Sequence, residues 1–462
     1  MGKHSRVKPA CTVVLLCAAT AIALPAQTFT TLVSFDGTNG SESLYGSLVQ
    51  GRDGNLYGTT AGGGVNSEGT VFKITPSGTL ITLYSFCSQA SCQDGANPEA
   101  SIILGNDGNF YGTTYVGGAS GDGTIFKITS GGSLSTLHSF LGTDGAFPEA
   151  GLIQAIDGNL YGTAYGGGDG DGTAFKITPA GTFTLLHTFE GMSDGAIPFG
   201  PLVQGTDGNF YGTTIEGGAN GLGTVFKMSP SGTLATLHSF DYTDGDSPAA
   251  GLIQATNGNF YGTTVTGGSN GFGTVFKITP GGVLTTLHSF DSTDGAYPYG
   301  GLTQGTDGKF YGTTTAGGNN GGYGTVFEIT PAGTLTVVHT FDNTDGSSPE
   351  AAPAQSTNGS FYGTTFSAGA NGDGTVFRFT EGLGPFVETL PTSGKVGWNI
   401  QILGPNLTGT TSVTFNGTAA TFKVLSGSLI GATVPAGATT GTVKVSTPKG
   451  TLKSNVVFRV EP

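Results

Sequence analysis

One position that recurs seven times along the chain carries side chains able to bind a ligand or to perform acid–base chemistry. It follows a repeated Pro, or Leu44 in the first copy, and holds Tyr45, Glu99, Glu149, Phe199, Ala249, Tyr299 and Glu350. Aromatic faces beside carboxylates suit sugars, whose C–H faces stack while their hydroxyls donate hydrogen bonds, and they also suit cations. Paired carboxylates can act as acid and base in glycoside cleavage. A solvated rim of accidental composition is the competing interpretation.

Two short motifs recur around this position with the same period. Tyr-Gly-Thr-Thr, or Tyr-Gly-Thr-Ala once, begins at Tyr57, Tyr111, Tyr161, Tyr211, Tyr261, Tyr311 and Tyr362. Gly-Thr-x-Phe places Phe72, Phe126, Phe175, Phe226, Phe276, Phe327 and Phe377 on the same period. A repeat of about 50 residues is typical of a propeller or solenoid.

Each repeat contains four short runs of apolar, aromatic and β-branched residues. In the fifth copy they occupy residues 251–254, 259–264, 273–279 and 284–290, and turn residues separate them. This pattern predicts four strands. Asn257-Gly258 joins the first two, and most other copies have Asp-Gly there, which suits a tight hairpin with positive φ at both residues.

The phase of the repeats predicts a closed ring. Residues 30–35 read as a fourth strand that arrives before any first strand, whereas the last copy ends at residues 374–380 without one. We therefore predict an all-β fold: a seven-bladed β-propeller over residues 27–382 whose N-terminal strand closes the last blade. The recurring position precedes the innermost strand, so its seven residues should ring the central channel on one face.

The loops between the second and third strands should open on that same face. Their variable residues include Glu68, Asp122, Asp169, Asp171, Glu216 and Asp373. Such a face would be markedly acidic and would steer cationic partners towards it.

Residues present in nearly every copy answer a need that every blade shares, so we interpret them as structural. This applies to the Tyr-Gly-Thr-Thr tyrosines and to the histidines of the fourth strand, His138, His187, His238, His288 and His339. It also applies to the aspartates before glycine, Asp94, Asp144, Asp194, Asp244, Asp294 and Asp345, which suit turns. Calcium is the minority alternative for these aspartates, and we predict no other cofactor or metal.

The ends and the overall charge indicate an exported protein. Residues 1–26 have a basic start and an apolar run, as in a secretory signal peptide. Cys87 and Cys92, the only later cysteines, are expected to form a disulfide. A formal net charge of −14 disfavours nucleic acid as a partner. We expect a secreted, periplasmic or cell-surface monomer with no transmembrane segment after the signal.

The two repeated motifs resemble the GloVer tandem-repeat family of exported bacterial proteins, over residues 29 to about 382. The resemblance implies a surface-anchored protein with no assigned activity, although this chain shows no terminal anchor helix or sorting motif. Residues 383–462 resemble an IPT/TIG domain, which implies an immunoglobulin-like β-sandwich acting as a spacer or adhesion module.

Three classes of function fit these features. The leading hypothesis is a non-catalytic binding or envelope protein that recognises an extracellular glycan, since no nucleophile–base arrangement stands out. A propeller glycoside hydrolase or polysaccharide lyase that uses the glutamates is the second. A purely structural protein–protein adhesion module is the third.

Overall fold

Seven four-stranded antiparallel sheets make up residues 28–380 of the computed structural model, which describes residue 2, residues 27–168 and residues 170–461. The predicted signal peptide, residues 1–26, lies outside the described residues except for Gly2, and so do Asp169 and Pro462. Helical structure in the described part of the chain is confined to one 3-10 turn, Ala90–Cys92. The prediction of an all-β propeller is confirmed.

The strands of each blade follow the chain outwards from the central channel. The first strand of the chain is β1 (Thr28–Ser34). Blade 1 consists of β2 (Val49–Gln50), β3 (Leu56–Thr60), β4 (Thr70–Ile74) and β5 (Leu80–Ser85). Blade 2 consists of β6 (Ile103–Leu104), β7 (Phe110–Thr114), β8 (Thr124–Ile128) and β9 (Leu134–Ser139). Blade 3 consists of β10 (Ile153–Gln154), β11 (Leu160–Ala164), β12 (Thr173–Ile177) and β13 (Phe183–Thr188). Blade 4 consists of β14 (Val203–Gln204), β15 (Phe210–Thr214), β16 (Thr224–Met228) and β17 (Leu234–Ser239). Blade 5 consists of β18 (Ile253–Gln254), β19 (Phe260–Thr264), β20 (Thr274–Ile278) and β21 (Leu284–Ser289). Blade 6 consists of β22 (Thr303–Gln304), β23 (Phe310–Thr314), β24 (Thr325–Ile329) and β25 (Leu335–Thr340).

Blade 7 joins the two ends of the repeat region. It contains β26 (Ala354–Gln355), β27 (Phe361–Thr365) and β28 (Thr375–Thr380), and its outer strand is β1. The pairing of β1 with β28 is antiparallel and sets Thr28 opposite Thr380 and Ser34 opposite Thr375. The predicted closure of the last blade by the N-terminal strand is therefore observed.

Two local expectations were wrong. The innermost strand has two ladder residues rather than four, because the preceding backbone bonds to a side chain of the neighbouring blade; the Thr213 hydroxyl, for example, donates to the Ala250 carbonyl at 2.8 Å. In the turn after that strand, only the glycine has positive φ (Gly208, +82°). The Asp207 carboxylate there accepts the Asn209 amide hydrogen, which is the bond expected of an aspartate in an Asx turn.

The repeated motifs pack one blade against the next. A Cβ on Gly212 would lie 2.6 Å from Cζ of Phe226, so only glycine admits that ring across the sheet. Tyr211 stacks on Phe260 of the following blade with ring centroids 4.0 Å apart. These side chains are almost fully buried, so the Tyr-Gly-Thr and Gly-Thr-x-Phe motifs form the hydrophobic core between blades.

The turns divide the propeller into two ends. We call the upper end the one with the connections between blades and the loops between second and third strands. The lower end has the turns between first and second and between third and fourth strands.

Residues 388–461 form further sheets below the propeller. The strands are β29 (Glu388–Leu390), β30 (Ser393–Lys395), β31 (Asn399–Leu403), β32 (Ser412–Phe415), β33 (Thr418–Ala419), β34 (Phe422–Val424), β35 (Leu429–Thr433), β36 (Val443–Thr447), β37 (Gly450–Lys453) and β38 (Arg459–Glu461). The sheet β29-β31-β35-β34 and the sheet β33-β32-β36-β37 share one core that includes Ile400, Ile430, Val443 and Phe458, and β30 pairs with β38.

This C-terminal unit rests on the lower end of the propeller. Leu403 packs into the cluster that contains Leu104 and Phe110, and the Ser428 hydroxyl donates to the Arg52 carbonyl at 2.7 Å. The upper end is left uncovered by these contacts.

Candidate functional site

A cavity of about 200 Å³ lies at the upper mouth of the central channel. Six of the seven residues at the recurring position line it: Tyr45, Glu149, Phe199, Ala249, Tyr299 and Glu350. The seventh, Glu99, stands close by, since its negative charge contributes to raising the pKa of Glu149 and Glu350. The structure thus brings six of the seven positions together around one cavity and places the seventh close to them.

Tyr45 breaks the symmetry of this ring. Its side chain reaches from blade 1 towards Phe199 of blade 4, where the rings meet edge to face with centroids 4.7 Å apart. The Tyr299 ring lies 6.4 Å from it on another side. Three aromatic rings from different blades therefore form one wall of the cavity.

Glu149 and Glu350 also line the cavity, and their carboxyl groups lie in an environment unfavourable for charge. Burial, followed by the charge of Glu99, raises the pKa of Glu149 to about 8 and that of Glu350 to about 7. Burial, followed by the charge of Glu42, raises the pKa of Glu99 to about 7. Oε2 of Glu149 and Oε2 of Glu350 are buried atoms without a hydrogen-bond partner. These groups can release or take up protons near neutral pH.

Repeated threonines hold the site residues in place. The first threonine of Tyr-Gly-Thr-Thr donates to the carbonyl that follows the site residue of the next blade, as Thr59 does to Ala100 at 2.8 Å. Thr163 and Thr364 lack a hydrogen-bond partner, and they precede the blades of Phe199 and Tyr45. The aromatic contact across the mouth thus coincides with the two missing bonds.

Seven residues with left-handed backbone stand two positions before the site residues, or three positions before in the first copy. They have φ between +53° and +60°, and none is glycine: Glu42, Asn97, Phe147, Ile197, Ser247, Tyr297 and Ser348. Each bonds to the upper loops of two blades; the Phe147 amide donates to the Asp122 carbonyl, and the Phe147 carbonyl accepts from the Tyr165 amide. This conformation is costly for bulky and β-branched side chains, so the hydrogen bonds between blades must maintain it.

The acidic residues of the upper loops divide the ring into two sectors. The residue before the third-strand glycine is acidic in blades 7, 1, 2 and 3 (Asp373, Glu68, Asp122 and Asp171) and apolar or aromatic in blades 4, 5 and 6 (Leu222, Phe272 and Tyr323). Glu216 lies elsewhere in its loop, and Asp169 lies outside the described residues. The Asp171 carboxylate lies beside Gly191 of the outer connection, so this outer group of acids is separate from the cavity.

The five histidines of the fourth strands are each bonded to an aspartate of their own blade. Nε2 and Oδ2 are 2.7 Å apart in four of the pairs and 3.0 Å apart in His138–Asp144. In blade 1 the Tyr84 hydroxyl donates to Asp94 instead, at 2.7 Å. Because each pair lies on a different blade, the histidines do not converge into a catalytic or metal site.

The lower end is built from repeated, paired polar groups. Six glutamines accept a hydrogen bond from the lower turn of the preceding blade: Gln50, Gln154, Gln204, Gln254, Gln304 and Gln355. Blade 2 has Leu104 at this position, where Leu403 of the C-terminal unit packs. A second cavity of about 1010 Å³ lies between the turns of blades 3 to 6 and residues 392–393 and 455–459.

Cys87 and Cys92 are joined by a disulfide in the connection between blades 1 and 2. Within the described ranges, no group of three or more histidine, cysteine or acidic side chains is arranged to hold a metal ion. A search of the same residues finds no helix with the length and apolar character needed to cross a membrane.

Two residues beside the cavity were missed in the sequence. Glu42 contributes to raising the pKa of Glu99, and the charges of Glu149 and Glu99 add to burial in raising the pKa of Tyr115. Both occupy positions that vary between copies, which is the signal that could have identified them. The pairing of histidine with aspartate was also missed, although a spacing of six recurs in four copies.

Comparison with known proteins supports this architecture. Two solved structures from B. thetaiotaomicron, described as the extracellular domains of a hybrid two component system and of a one component system, each cover 95% of the chain with a TM-score of 0.51, at 11% and 12% identity. The chain spans 58% of each of those structures, and at this identity the likeness shows the fold alone. No curated protein sequence matches significantly.

The repeats themselves identify the family. The family model described as the Gloeobacter/Verrucomicrobia repeat matches residues 19–205 and 169–377. Because these two ranges together span most of the chain, the protein belongs to the Gloeobacter/Verrucomicrobia repeat family.

Proposed function

We propose that the protein acts outside the cytoplasm as a non-catalytic binding protein whose upper cavity holds one small group of an extracellular ligand. The observation that carries this proposal is the convergence of Tyr45, Phe199 and Tyr299 with Glu149 and Glu350 around one cavity. Aromatic faces and unpaired hydrogen-bonding groups together are what ligand sites combine.

The size of the cavity limits what it can accept. Small-molecule sites usually measure about 300–1,000 Å³, whereas this cavity measures about 200 Å³. A single sugar residue at the end or branch point of a polysaccharide fits this limit, and the rest of the chain would lie on the open upper face. The C-terminal unit, residues 383–462, then serves as an IPT/TIG-like spacer below the propeller.

The test is binding of the protein without its leader to a glycan array and to insoluble polysaccharides. The triple variant Glu99→Ala, Glu149→Ala, Glu350→Ala should lose binding while its circular dichroism spectrum and thermal unfolding remain cooperative. A matched triple variant, Asp122→Asn, Asp171→Asn, Asp373→Asn, removes the same formal charge from the outer acids and should keep binding. Absence of binding by the wild-type protein to any glycan would contradict glycan recognition and favour a protein–protein adhesion module.

A second candidate is a glycoside hydrolase or polysaccharide lyase. The raised pKa of Glu149, about 8, favours it, because a carboxyl group that remains protonated at neutral pH can act as a general acid. Release of reducing ends or of unsaturated products from a bound polysaccharide, abolished by Glu149→Gln, would establish this activity. Binding without turnover would exclude it for that glycan.

A further inference from the structure

The upper end of the propeller carries acidic groups with no lysine or arginine to neutralise them. Every lysine and arginine in residues 27–380 belongs to the lower end, either in a lower turn or at the third-strand position opposite the repeated tyrosine: Arg52, Lys73, Lys127, Lys176, Lys227, Lys277, Lys309 and Arg378. The upper histidines are bonded to their own aspartates. The carboxyl groups of the cavity therefore have no cationic partner within the propeller.

A neutral sugar could donate hydrogen bonds to the carboxyl groups of the cavity but could not neutralise their charge. Its hydroxyls could donate to Oε2 of Glu149 and Oε2 of Glu350, the two buried atoms that lack partners. It would leave the mutual repulsion of the carboxylates unchanged. An ammonium group neutralises charge and is attracted to the electron-rich faces of aromatic rings, and where it carries N–H groups, as a protonated primary amine does, it also donates hydrogen bonds.

We propose that the group held in the upper cavity is an ammonium, bound between the carboxylates of Glu149 and Glu350 and the rings of Tyr45, Phe199 and Tyr299, with the charge of Glu99 close by. This inference rests on the proposed function and specifies its ligand class. Two sources share the positive charge and the attraction to aromatic faces: an amino sugar with a free amine, which also donates N–H hydrogen bonds, and a quaternary ammonium head group, which does not.

Binding of a cation is linked to loss of protons from the site. The titratable groups that line the cavity are Glu149, Glu350, Tyr45 and Tyr299. Glu99 lies behind them, where its charge acts on Glu149 and Glu350, and Glu42 and Tyr115 are the further groups that interact with Glu99. Because burial raises the pKa of the three glutamates to between about 7 and about 8, a cation must displace protons below that range. Affinity for a permanently charged cation should therefore increase from pH 6 to pH 9.

The experiment is isothermal titration calorimetry of the protein without its leader against choline and against its neutral isostere 3,3-dimethylbutan-1-ol. We expect choline to bind at least about tenfold more tightly at pH 8, which corresponds to about 1.4 kcal/mol, and to release protons when the titration is repeated in buffers of different ionisation enthalpy. Oligomers of chitosan and of chitin, which differ in whether the amine is free, form the second pair of probes. Choline binding without chitosan binding assigns the quaternary source, and the reverse result assigns the amino sugar.

Two triple variants distinguish binding in the cavity from attraction of the cation to the overall negative charge of the upper end. Glu99→Gln, Glu149→Gln, Glu350→Gln should abolish binding of the cation, whereas the matched variant Asp122→Asn, Asp171→Asn, Asp373→Asn should retain it. Equal loss in both variants, equal affinity for choline and its isostere, or affinity independent of pH would overturn the ammonium assignment. If neutral glycans still bind in that case, and if their binding requires Phe199, the proposed function as a binding protein would remain supported. If no probe binds, both the ammonium assignment and the proposed function would be contradicted.

Discussion

Carboxyl groups have hydrogen-bond partners at the lower end of the propeller, whereas buried carboxyl oxygens at the upper mouth of its channel lack them. At the lower end, Asp107 accepts hydrogen bonds from Asn109, from the Tyr111 hydroxyl at 2.8 Å and from Lys127 at 2.9 Å. At the upper mouth, Glu149 and Glu350 each have a buried oxygen without a partner. Paired groups recur from blade to blade at the lower end, whereas the seven positions of the upper mouth hold four different residue types. The repeated pairing is therefore interrupted at the channel mouth itself, since the outer histidines of the upper end remain paired with their aspartates.

The two ends should therefore respond to pH in opposite directions. Although burial of Asp107 and Asp207 acts the other way, hydrogen bonds from lysine, asparagine and tyrosine hold the pKa of both carboxyls well below the usual range. Their contribution to stability is present above the ordinary pKa of aspartate and is lost as the pH falls further. The glutamates have raised pKa values, so their folded-state environment costs stability as the pH rises from their ordinary pKa through about 7 to 8.

Asp207→Ala should have the largest effect on stability. It leaves the Tyr211 hydroxyl, on a residue that is 1% exposed, without its acceptor and leaves Lys227 unpaired. We expect the free energy of unfolding in urea to fall by about 2–3 kcal/mol. The matched variant Asp207→Asn should cost much less, since Asn257 and Asn358 occupy this position in two blades and bond to their own tyrosines. Equal losses in the two variants would show that the lower network is not the source of stability.

Gln254→Leu tests the belt of glutamines at the same end. The change removes the hydrogen bond from the Thr206 amide, 2.8 Å, and the bond to the Gly258 carbonyl, 3.1 Å. We expect a loss of about 1–2 kcal/mol by urea unfolding. Ile156→Ala, in a lower turn and 46% exposed, is the control and should change stability little. A neutral result for Gln254→Leu would mean that these bonds are replaced by water without cost.

Glu149→Gln tests the upper end. Because the amide carries no charge, the variant should avoid the cost of ionising a buried carboxyl whose pKa is raised to about 8. Its melting temperature should be close to that of the wild type at pH 4, below the ordinary pKa of glutamate, and exceed it at pH 9, as measured by differential scanning calorimetry at both values. A variant that is less stable than the wild type at pH 9 would show that Glu149 has a partner in solution.

Ser348→Gly should have the smallest effect, a gain of no more than about 1 kcal/mol. Ser348 has a φ of +54°, which glycine adopts without the steric cost of a Cβ. Ser348→Ala keeps the Cβ and should not stabilise the protein, which makes it the control in the same thermal unfolding assay. Stabilisation by both variants would rule out relief of backbone strain as the cause.

The repeat period made most of the fold predictable from the sequence. Tyr-Gly-Thr-Thr and Gly-Thr-x-Phe recur because every blade needs the same contact with its neighbour, so their spacing gives the blades and the seven positions at the channel mouth. The closure of the last blade followed from the phase of residues 30–35. These inferences depend on local pattern and pseudo-symmetry alone.

What the sequence did not predict depends on departures from that symmetry. Tyr45 crosses the mouth to Phe199 because of side-chain packing between blades 1 and 4, which no repeat position encodes. The raised pKa values of Glu99, Glu149 and Glu350 result from burial that exists only once the ring has closed. One of the contacts that dock the C-terminal unit uses an exception to the repeat, Leu104 in place of glutamine, whose role becomes clear only when Leu403 is seen packed against it.

The pairing of β1 with β28 also determines how the ring would respond to mechanical tension. Thr28 lies opposite Thr380, so the chain enters the outermost strand and leaves the blade towards the C-terminal unit at the same, lower end. Tension applied between the segments before Thr28 and after Thr380 would load one hydrogen bond of the ladder at a time and open it like a zipper. The same strands pulled from opposite ends would share the load and resist by shear. The propeller would therefore yield first at blade 7, at a low force, with the other six blades still intact.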